Sequence, residues 1–398
     1  MADWIKDPEK EVYRLKIKGE DVIVGDESAV EFKSKVKLKR WGDECSIDVE
    51  FEPDEIIVPV IEDGKLKKKK PGDYEVIFDY DDENFHFDFL LYKKYKADFI
   101  EMPVNFEGLK LTKQLPLTEI QEKVMRKAPT AVTITETQAI DVDGNVLVER
   151  PEHIVGSYSV FHATKKNHIL GQKNYGCGKA FHLYRPKAID DNGVEHWIEM
   201  EIADGILKLN VSDDWFKSEA KYPIYIDPTI GVTSALTSTT SAENVINVTR
   251  GYADSNGIGV SISTYLSVTT AAHLVTCNVY TDGSGFSDTT SIPLHPNGVT
   301  EEKDLPVQGA TWDTFNFVSP PSFVGGTYYR VAYWVESTSG DCLQYWDDMD
   351  DEYSYYEGVS YGGAWPNPVA TFDDYYADEA NSGYITYDTW IPRVIFID

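Results

Sequence analysis

The chain has 398 residues, of which 67 are acidic and 37 are basic, so its formal net charge is −30 at pH 7. A protein of this charge repels phosphate backbones, which argues against a nucleic-acid partner. Hydrophobic residues make up 42% of the chain, enough to build packed cores, and the 25 tyrosines with many β-branched residues favour strands over helices.

The first part of the chain reads as β-structure. Residues 11–60 alternate apolar and polar side chains with a period of two, as in antiparallel sheets with one packed and one solvated face. The lysine run 65–70 follows Gly64 and precedes Pro71 and Gly72. We expect this run to be a solvated hairpin tip, with binding to an anionic surface as the alternative.

Turn and helix signals divide the rest of the chain. Thr118–Lys127 is the best helix candidate, with a threonine cap. Asp143–Asn145 and Asp191–Gly193 carry Asp, Asn and Gly in the pattern of hairpin turns. The segment 231–244 is rich in small polar residues, as in a linker. Residues 245–398 contain short β runs separated by turns, which is typical of a sandwich or jelly roll.

The sequence therefore predicts an all-β protein. We expect N-terminal antiparallel β domains, Ig-like or barrel-like, and a C-terminal jelly-roll-like β-sandwich. The predicted domains are residues 1–116 and 117–230, a linker at 231–244, and the sandwich at 245–398. Apolar runs stay short throughout, and the first residues hold no apolar segment, so we expect neither a membrane span nor a signal peptide.

Acidity is concentrated in the last part of the chain. Residues 231–398 hold 22 acidic and 4 basic side chains, against 45 and 33 in residues 1–230. Clustered carboxylates repel one another, and a hard cation such as calcium relieves that repulsion. A calcium site and a hydrated acidic rim both fit this pattern, and no other cofactor is expected. The candidate calcium ligands are Asp347, Asp348, Asp350, Asp351, Asp373 and Asp374.

Aromatic residues crowd the same region. Aromatic faces stack on sugar rings, while nearby carboxylates accept hydrogen bonds from sugar hydroxyls. Tyrosine and tryptophan also dominate the energetics of protein interfaces, so a protein neighbour is the alternative partner. In loops such as 353–365 we expect these residues to be exposed and to bind a glycan. Alternating tyrosines also fit ordinary strands, in which half of them would lie in the core. The candidate ligand-binding residues are Trp346, Tyr353, Tyr355, Tyr356, Tyr361 and Trp365.

Nucleophilic side chains give a weaker signal. The four cysteines show no CxxC spacing, so we expect isolated thiols, with a Cys277–Cys342 disulfide as the alternative. Cys177 and His182 form an imaginable nucleophile–base pair near Ser157. No nucleophile elbow or other recognised catalytic frame surrounds them. We therefore assign no catalytic residue and do not expect an enzyme.

Two landmarks in the middle of the chain resemble known proteins. They are GKAFHLYRPKAIDDNG at 178–193 and YPIYIDPT at 222–229, preceded by PEHIVGSYSVFH at 151–162. This part resembles a group of largely uncharacterised proteins encoded by bacteriophages and related mobile elements, which carry similar GKAFH-[IL]-YRP and YPV-x-[IV]-DPT segments. The resemblance implies a role in the virion or at a particle surface and supplies no catalytic residue.

A second resemblance concerns the C-terminal part. The segment TWDTFNFVSPPSFVGGTYYRVAYWVES at 311–337 is similar to β-sandwich modules appended to phage tail fibres, bacterial adhesins and carbohydrate-active enzymes. The matching residues are Trp312, Phe315 and Phe317 in one strand and Gly326, Tyr328 and Tyr329 at the start of the next. Such modules serve many functions, so the resemblance implies an architecture and not a ligand.

Together these features predict a non-enzymatic virion structural protein, assembled in the host cytoplasm and located on the particle surface. It would be a head fibre, a capsid decoration protein or a tail-associated adhesin. The expected partners are other virion proteins, further copies of the chain and a host-surface glycan. A carbohydrate-binding adhesin of a microbial cell surface and a glycan hydrolase with paired carboxylates are the alternatives. We expect residues 1–230 to contact the particle.

Overall fold

The computed structural model describes residues 4–17, 20–29, 31–51, 58–62, 64–70, 72–80, 84–165, 168–170, 173–231, 236–253, 256–281, 290–337, 341–372 and 374–389. Within these residues, the regular elements are strands except for the helix α1 (Gln121–Lys127) and a π-helical turn at Trp215–Glu219. The prediction of an all-β fold is confirmed.

The strands from the N-terminus to residue 183 are β1 (Ile5–Lys6), β2 (Tyr13–Ile17), β3 (Glu20–Val24), β4 (Lys35–Arg40), β5 (Cys45–Glu50), β6 (Val60–Glu62), β7 (Lys65–Lys70), β8 (Tyr74–Tyr80), β9 (Asn84–Leu91), β10 (Phe99–Glu107), β11 (Leu109–Lys113), β12 (Thr133–Ile134), β13 (Gln138–Ile140), β14 (Val146–Glu149), β15 (Tyr158–His162), β16 (His168–Leu170), β17 (Lys173–Asn174) and β18 (Lys179–Leu183).

The strands that follow are β19 (Lys187–Ile189), β20 (Glu195–Trp197), β21 (Met200–Ala203), β22 (Ile206–Asn210), β23 (Ile224–Asp227), β24 (Thr229–Gly231), β25 (Ser238–Ser241), β26 (Ile246–Ala253), β27 (Gly257–Val268), β28 (His273–Thr281), β29 (Thr290–Ile292), β30 (Lys303–Leu305), β31 (Gln308–Asn316), β32 (Ser322–Phe323), β33 (Thr327–Val335), β34 (Cys342–Glu357), β35 (Val369–Thr371), β36 (Asp374–Asn381) and β37 (Gly383–Thr389).

The chain folds into two compact units, each built from several segments. Unit 1 comprises Met1–Lys113, His153–Ala163 and Ala180–Thr233. Unit 2 comprises Gln114–Glu152, Thr164–Lys179 and Ser234–Asp398. This division differs from the predicted domains at 1–116, 117–230 and 245–398, because the middle of the chain is shared between the units. Hydrophobic periodicity shows which face of a strand packs, but not which distant segment packs on it.

Unit 1 contains two large sheets within its described residues. One has the strand order β1-β2-β3-β4-β5-β10-β22-β21, and the other has the order β11-β15-β18-β24-β9-β23-β19-β20, with β8, β7 and β6 joined to it through β9. The core face of β9 carries Phe85, Phe87 and Phe89, which pack with Phe51 and Phe78 at ring-centroid distances of 5.3–6.5 Å. Because side chains alternate along a strand, the polar residues of β9 lie on its opposite face.

The lysine run 65–70 is the strand β7 and not a hairpin tip, so that expectation is wrong. This strand pairs with β6 on one side and β8 on the other. Lys68 is buried and its Nζ donates a hydrogen bond to Ser34 Oγ at 2.7 Å. Lys65 forms an ion pair with Asp79 of the neighbouring strand. Carboxylates of the adjacent strands β6 and β8 also pair with Lys67 and Lys69, so much of the lysine run is neutralised within the sheet.

Unit 2 contains a sandwich of two strand layers. Strands β26, β33 and β28 form one layer, and β31, β27 and β37 belong to the other. Val279 and Val331 of the first layer and Ile262 and Phe315 of the second are buried in one core cluster. The long strand β34 pairs with β25 and β27 near its start and with β26 and β36 further along. The predicted C-terminal sandwich therefore forms, although unit 2 also includes earlier segments.

The predicted linker 231–244 contains a strand in its described part. β25 pairs with β14 through Thr240 and Val148 and with β34 through Ser238 and Trp346. The linker prediction is therefore wrong for these residues. Serine and threonine suit flexible connections, but the β-branched threonines also fit a strand that has neighbours on both sides.

The helix and the hairpin turns form where the sequence predicts them. Helix α1 forms inside the predicted range, starting at Gln121 instead of Thr118. Both predicted hairpin turns form, and Gly144 and Gly193 adopt positive φ angles of 89° and 78°. Asp141 and Asp190 stabilise these turns by accepting backbone hydrogen bonds at 2.9 Å. Among the described residues, neither helical segment has the length and apolar character needed to span a lipid bilayer.

The cysteines of the sandwich are thiols. Cys277 and Cys342 are buried in the same core cluster and are not joined in a disulfide. Burial raises the pKa of Cys342 to about 12, because a thiolate is poorly solvated in an apolar core. The disulfide alternative is therefore not realised, and both residues act as small apolar core residues.

Gly259 of β27 tests the packing of the sandwich. A Cβ atom there would lie 2.7 Å from Pro321 and 2.8 Å from the rings of Phe317 and Phe323. These rings are held in the core, so we expect Gly259→Ala to lower the free energy of unfolding by about 1–3 kcal/mol. The control is Gly309→Ala, since a Cβ there meets no atom within 4 Å. Urea unfolding measures both, and equal stability of the two variants would contradict the packing.

Candidate functional site

Asp347, a predicted calcium ligand, is buried in unit 2 and paired with a lysine. Its Oδ2 accepts a hydrogen bond from Lys179 Nζ at 2.9 Å, and both side chains are 0% exposed. Its Oδ1 accepts hydrogen bonds from the backbone N–H of Thr237 at 2.9 Å and from the Thr237 hydroxyl at 2.5 Å. Because a lysine already neutralises this carboxylate, the calcium prediction is wrong for Asp347.

Asp348 is neutralised in the same way by two cations. Its Oδ1 accepts a hydrogen bond from Lys123 Nζ at 2.5 Å, and its Oδ2 accepts one from Arg150 at 3.0 Å. The side chain of Gln114 bonds both the backbone N–H and the carbonyl of Asp348 at 3.2 Å. Burial alone would raise the pKa of Asp348, but Arg150 and Lys123 outweigh it and hold the pKa below its ordinary value. Calcium is therefore not required here either.

Glu379 completes what we call the buried ion-pair cluster. It lies opposite Asp348 in the β34–β36 pairing and binds Lys127 Nζ at 2.8 Å. Burial lowers the pKa of Lys127, and the charge of Glu379 opposes that effect. The cluster's carboxylates come from the C-terminal segment of unit 2, and its cations come from the two earlier segments. Its members are Asp347, Asp348, Glu379, Lys123, Lys127, Arg150 and Lys179.

Trp346 lies inside this cluster and is not a surface residue. Its side chain is 0% exposed, so the prediction that it binds a ligand is wrong. Lys127 Nζ lies 4.5 Å and the Arg150 guanidinium 4.9 Å from its ring centroid, distances typical of cation–π contacts. The ring also packs on Val124 of helix α1 and Val148 of β14 in one core cluster. The tryptophan thus helps to hold the cations that its acidic neighbours need.

The other predicted aromatic residues fall into two groups. Tyr361 and Trp365 are half-buried and pack on Trp334 at ring-centroid distances of 5.3 and 5.4 Å. The Tyr361 hydroxyl donates a hydrogen bond to Glu302 at 2.6 Å. The remaining tyrosines belong to strand β34 and not to a loop, which corrects that part of the prediction, and their side chains lie outside the described residues. They are Tyr353, Tyr355 and Tyr356.

The remaining candidate calcium ligands stay untested. Asp350 and Asp351 belong to strand β34 and Asp374 to strand β36, but their side chains lie outside the described part of the chain. Asp373 is outside the described residues altogether. For these four residues calcium binding remains a prediction.

A serine–histidine pair forms in unit 1 but is closed off. Ser157 Oγ lies 2.7 Å from His182 Nε2, and Ser159 Oγ lies 3.3 Å from His182 Nδ1. All three side chains are 0% exposed, so a substrate has no access to the pair in this structure. The imagined nucleophile Cys177 is equally buried, and burial raises the pKa of its thiol to about 11. These contacts satisfy interior polar groups.

A histidine–carboxylate group on the polar face of β9 was missed by the sequence analysis. His86 Nδ1 lies 3.0 Å from Asp227 Oδ1, and ligand atoms of His86, Asp88 and Asp227 all lie within 4.8 Å of one another. The Tyr225 hydroxyl donates a short hydrogen bond to Asp88. The signal available was the alternation of His86 and Asp88 with phenylalanines, which places both on one face, but nothing in the sequence pairs β9 with β23.

Asp88 has the most altered environment in this group. Burial raises its pKa to about 7, the charge of Asp227 adds to the effect, and the hydrogen bond from Tyr225 opposes it. A carboxyl group with such a pKa is often part of a functional site, although ion-pair networks shift pKa values too.

The comparisons with known proteins do not identify the chain. No protein-family model matches it, and no curated protein matches it significantly.

The Lys179–Asp347 pair allows a direct test of the cluster. We expect Lys179→Met to cost about 3–5 kcal/mol of unfolding free energy, because it leaves a buried carboxylate uncompensated. The control is Lys221→Met, whose ion pair with Asp191 is 58% and 44% exposed. Breaking that exposed pair should cost about 0–1 kcal/mol.

Urea unfolding of full-length variants measures these costs. Adding Asp347→Asn to Lys179→Met should restore part of the lost stability, since the unpaired charge is then removed. A Lys179→Met variant no less stable than Lys221→Met would contradict the role of the pair.

Proposed function

We propose that the chain is a non-enzymatic structural protein of a particle surface, with the virion as the particle. Its place there would be that of a head fibre, a decoration protein or a tail-associated adhesin. The resemblance to phage-encoded proteins rests on the segments 178–193 and 222–229. The observation that carries the proposal is that both segments build the interior of the fold. In the first segment, the side chains of Lys179 and His182 are committed to buried contacts.

The first of these segments builds the interior of both units. Lys179 neutralises Asp347 in unit 2, and both side chains are 0% exposed. His182 bonds Ser157 in unit 1, where both are also 0% exposed. In an enzyme, the reactive groups of a motif must reach a substrate. The arrangement supports a framework role for this segment.

The second segment forms the strand β23. Ile224 and Ile226 are buried, and the strand pairs with β9 on one side and β19 on the other. The chain exits this strand through Asp227 and Pro228, where the Pro228 carbonyl accepts a hydrogen bond from Phe87. Strands paired on both edges in this way are well suited to a structural role.

Unit 1 is the part that we propose attaches to the particle. A pocket of about 130 Å³ in this unit is lined by lysines together with Asp73, Tyr74 and Tyr95. The lysines are Lys70, Lys93, Lys94 and Lys96. A lysine-rich surface favours approach to an acidic partner, which supports unit 1 as the attachment part. Lys70 and Lys93 of this pocket pair with Asp73, whereas the lysines of unit 2 named above pair with buried carboxylates.

Association with the particle can be measured as the number of copies of the chain per particle. Particles from the source that encodes this chain are purified on a density gradient, washed at high salt, and quantified by mass spectrometry against their major coat protein. We expect a constant ratio of the chain to the coat protein across the particle fractions. The salt wash removes chains that adsorb only through screened surface charge.

The matched control uses particles from a source in which the gene is deleted. Adding the purified full-length chain should restore the same ratio, while an unrelated protein of similar net charge should not bind. Absence of the chain from washed particles, or a ratio that varies from fraction to fraction, would contradict the proposal.

A further inference from the structure

We propose that His86, Asp88 and Asp227 bind a divalent transition-metal ion in unit 1. The three residues each offer one ligand atom, and these atoms lie within 4.8 Å of one another. One imidazole nitrogen and two carboxylate oxygens form a mixed donor set that suits zinc or manganese better than calcium. Water would supply the remaining ligands, as at metal sites with open positions.

The strands hold these residues in place before a metal arrives. His86 and Asp88 are two residues apart on β9, so their side chains share one face. Asp227 is the last residue of β23, and the pairing of Ile226 with Phe89 brings it beside Asp88. β9 is paired on its other edge with β8, so the ligands lie on a sheet and not on a loop.

A second observation points to a ligand at this place. Asp88 is only 2% exposed, and its Oδ1 has no hydrogen-bond partner among the residues that the structure describes. Its Oδ2 is already bound by the Tyr225 hydroxyl. A buried carboxylate oxygen without a partner is destabilising, because it has lost water and gained nothing in exchange. A metal ion between Asp88, His86 and Asp227 would supply the missing partner.

Solvent can reach the site. The side chain of His86 is 20% exposed and that of Asp227 is 38% exposed. An ion can therefore enter the site from the side of these two residues, while Asp88 and Tyr225 lie on the buried side. Lys65 is close enough to interact with Asp88 electrostatically, and it is paired with Asp79 on the next strand. Asp79 therefore serves as the matched control, because it is a neighbouring carboxylate outside the ligand set.

The bound metal would join two distant parts of unit 1. β9 belongs to the first segment of the unit and β23 to the last. A ligand that binds the folded state alone stabilises it by mass action, and a saturating metal should raise the melting temperature of the full chain. The site thus adds a cross-link to the framework, and it does not depend on attachment to a particle.

The experiment uses the full-length chain, stripped with a chelator and dialysed. Zinc or manganese is titrated by calorimetry, and bound metal is counted by elemental analysis. We expect one equivalent of zinc or manganese, with a matching rise in melting temperature, and no stoichiometric binding of calcium or magnesium at this site. Asp88→Asn keeps the side-chain shape and should weaken binding by about tenfold or more.

Asp79→Asn should bind metal like the unaltered chain. His86→Gln provides a second ligand variant, and circular dichroism checks that each variant is folded. No stoichiometric zinc or manganese binding by the unaltered chain would overturn the proposal. Unchanged metal binding in both Asp88→Asn and His86→Gln would overturn it too. Equal weakening by Asp79→Asn and Asp88→Asn would also overturn it, because it would indicate diffuse attraction of the metal to the acidic surface.

Discussion

The interior of unit 2 holds buried carboxylates, and their neutralisation by lysine and arginine is the constraint on which its architecture depends. Transferring an ionised carboxylate out of water costs several kcal/mol even after relaxation, unless charges and hydrogen bonds replace the lost hydration. Asp347, Asp348 and Glu379 receive that replacement from Lys179, from Lys123 and Arg150, and from Lys127. Trp346 contacts two of these cations with its ring.

The partners come from far away in the sequence. Asp347 is 168 residues from Lys179, and Asp348 is 225 residues from Lys123. The segments that carry the cations must therefore fold with the C-terminal strands, which accounts for unit 2 including residues 114–152 and 164–179. The same need explains why the acidity of residues 231–398 does not appear as a uniform surface charge. Part of it is internal and compensated.

Local chemistry in the sequence was sufficient for some features and insufficient for others. Alternation predicted the strands, and Asp with Gly predicted the turns at Gly144 and Gly193, because those signals act over a few residues. Asp347 and Asp348 do need a counter-charge, and lysine and arginine side chains supply it. Composition cannot reveal which distant lysine meets which carboxylate.

The same limit applies to the histidine–carboxylate group in unit 1. His86 and Asp88 alternate with phenylalanines, so their common face was readable from the sequence. Their approach to Asp227 depends on the pairing of β9 with β23, which joins the first and last segments of the unit. The pairing of strands that are distant in the sequence is the feature that is hardest to predict from a single sequence.

The dependence of the sandwich on earlier segments is most directly tested by expressing residues 245–398 alone. This fragment retains Asp347, Asp348 and Glu379 but lacks every cation of the buried ion-pair cluster. The account predicts that it fails to unfold cooperatively, as followed by tryptophan fluorescence and circular dichroism, while the full chain does so. Replacing the three carboxylates by Asn, Asn and Gln should recover part of the fragment's order. A fragment that unfolds cooperatively with the stability of the full chain would contradict the central role of the ion pairs.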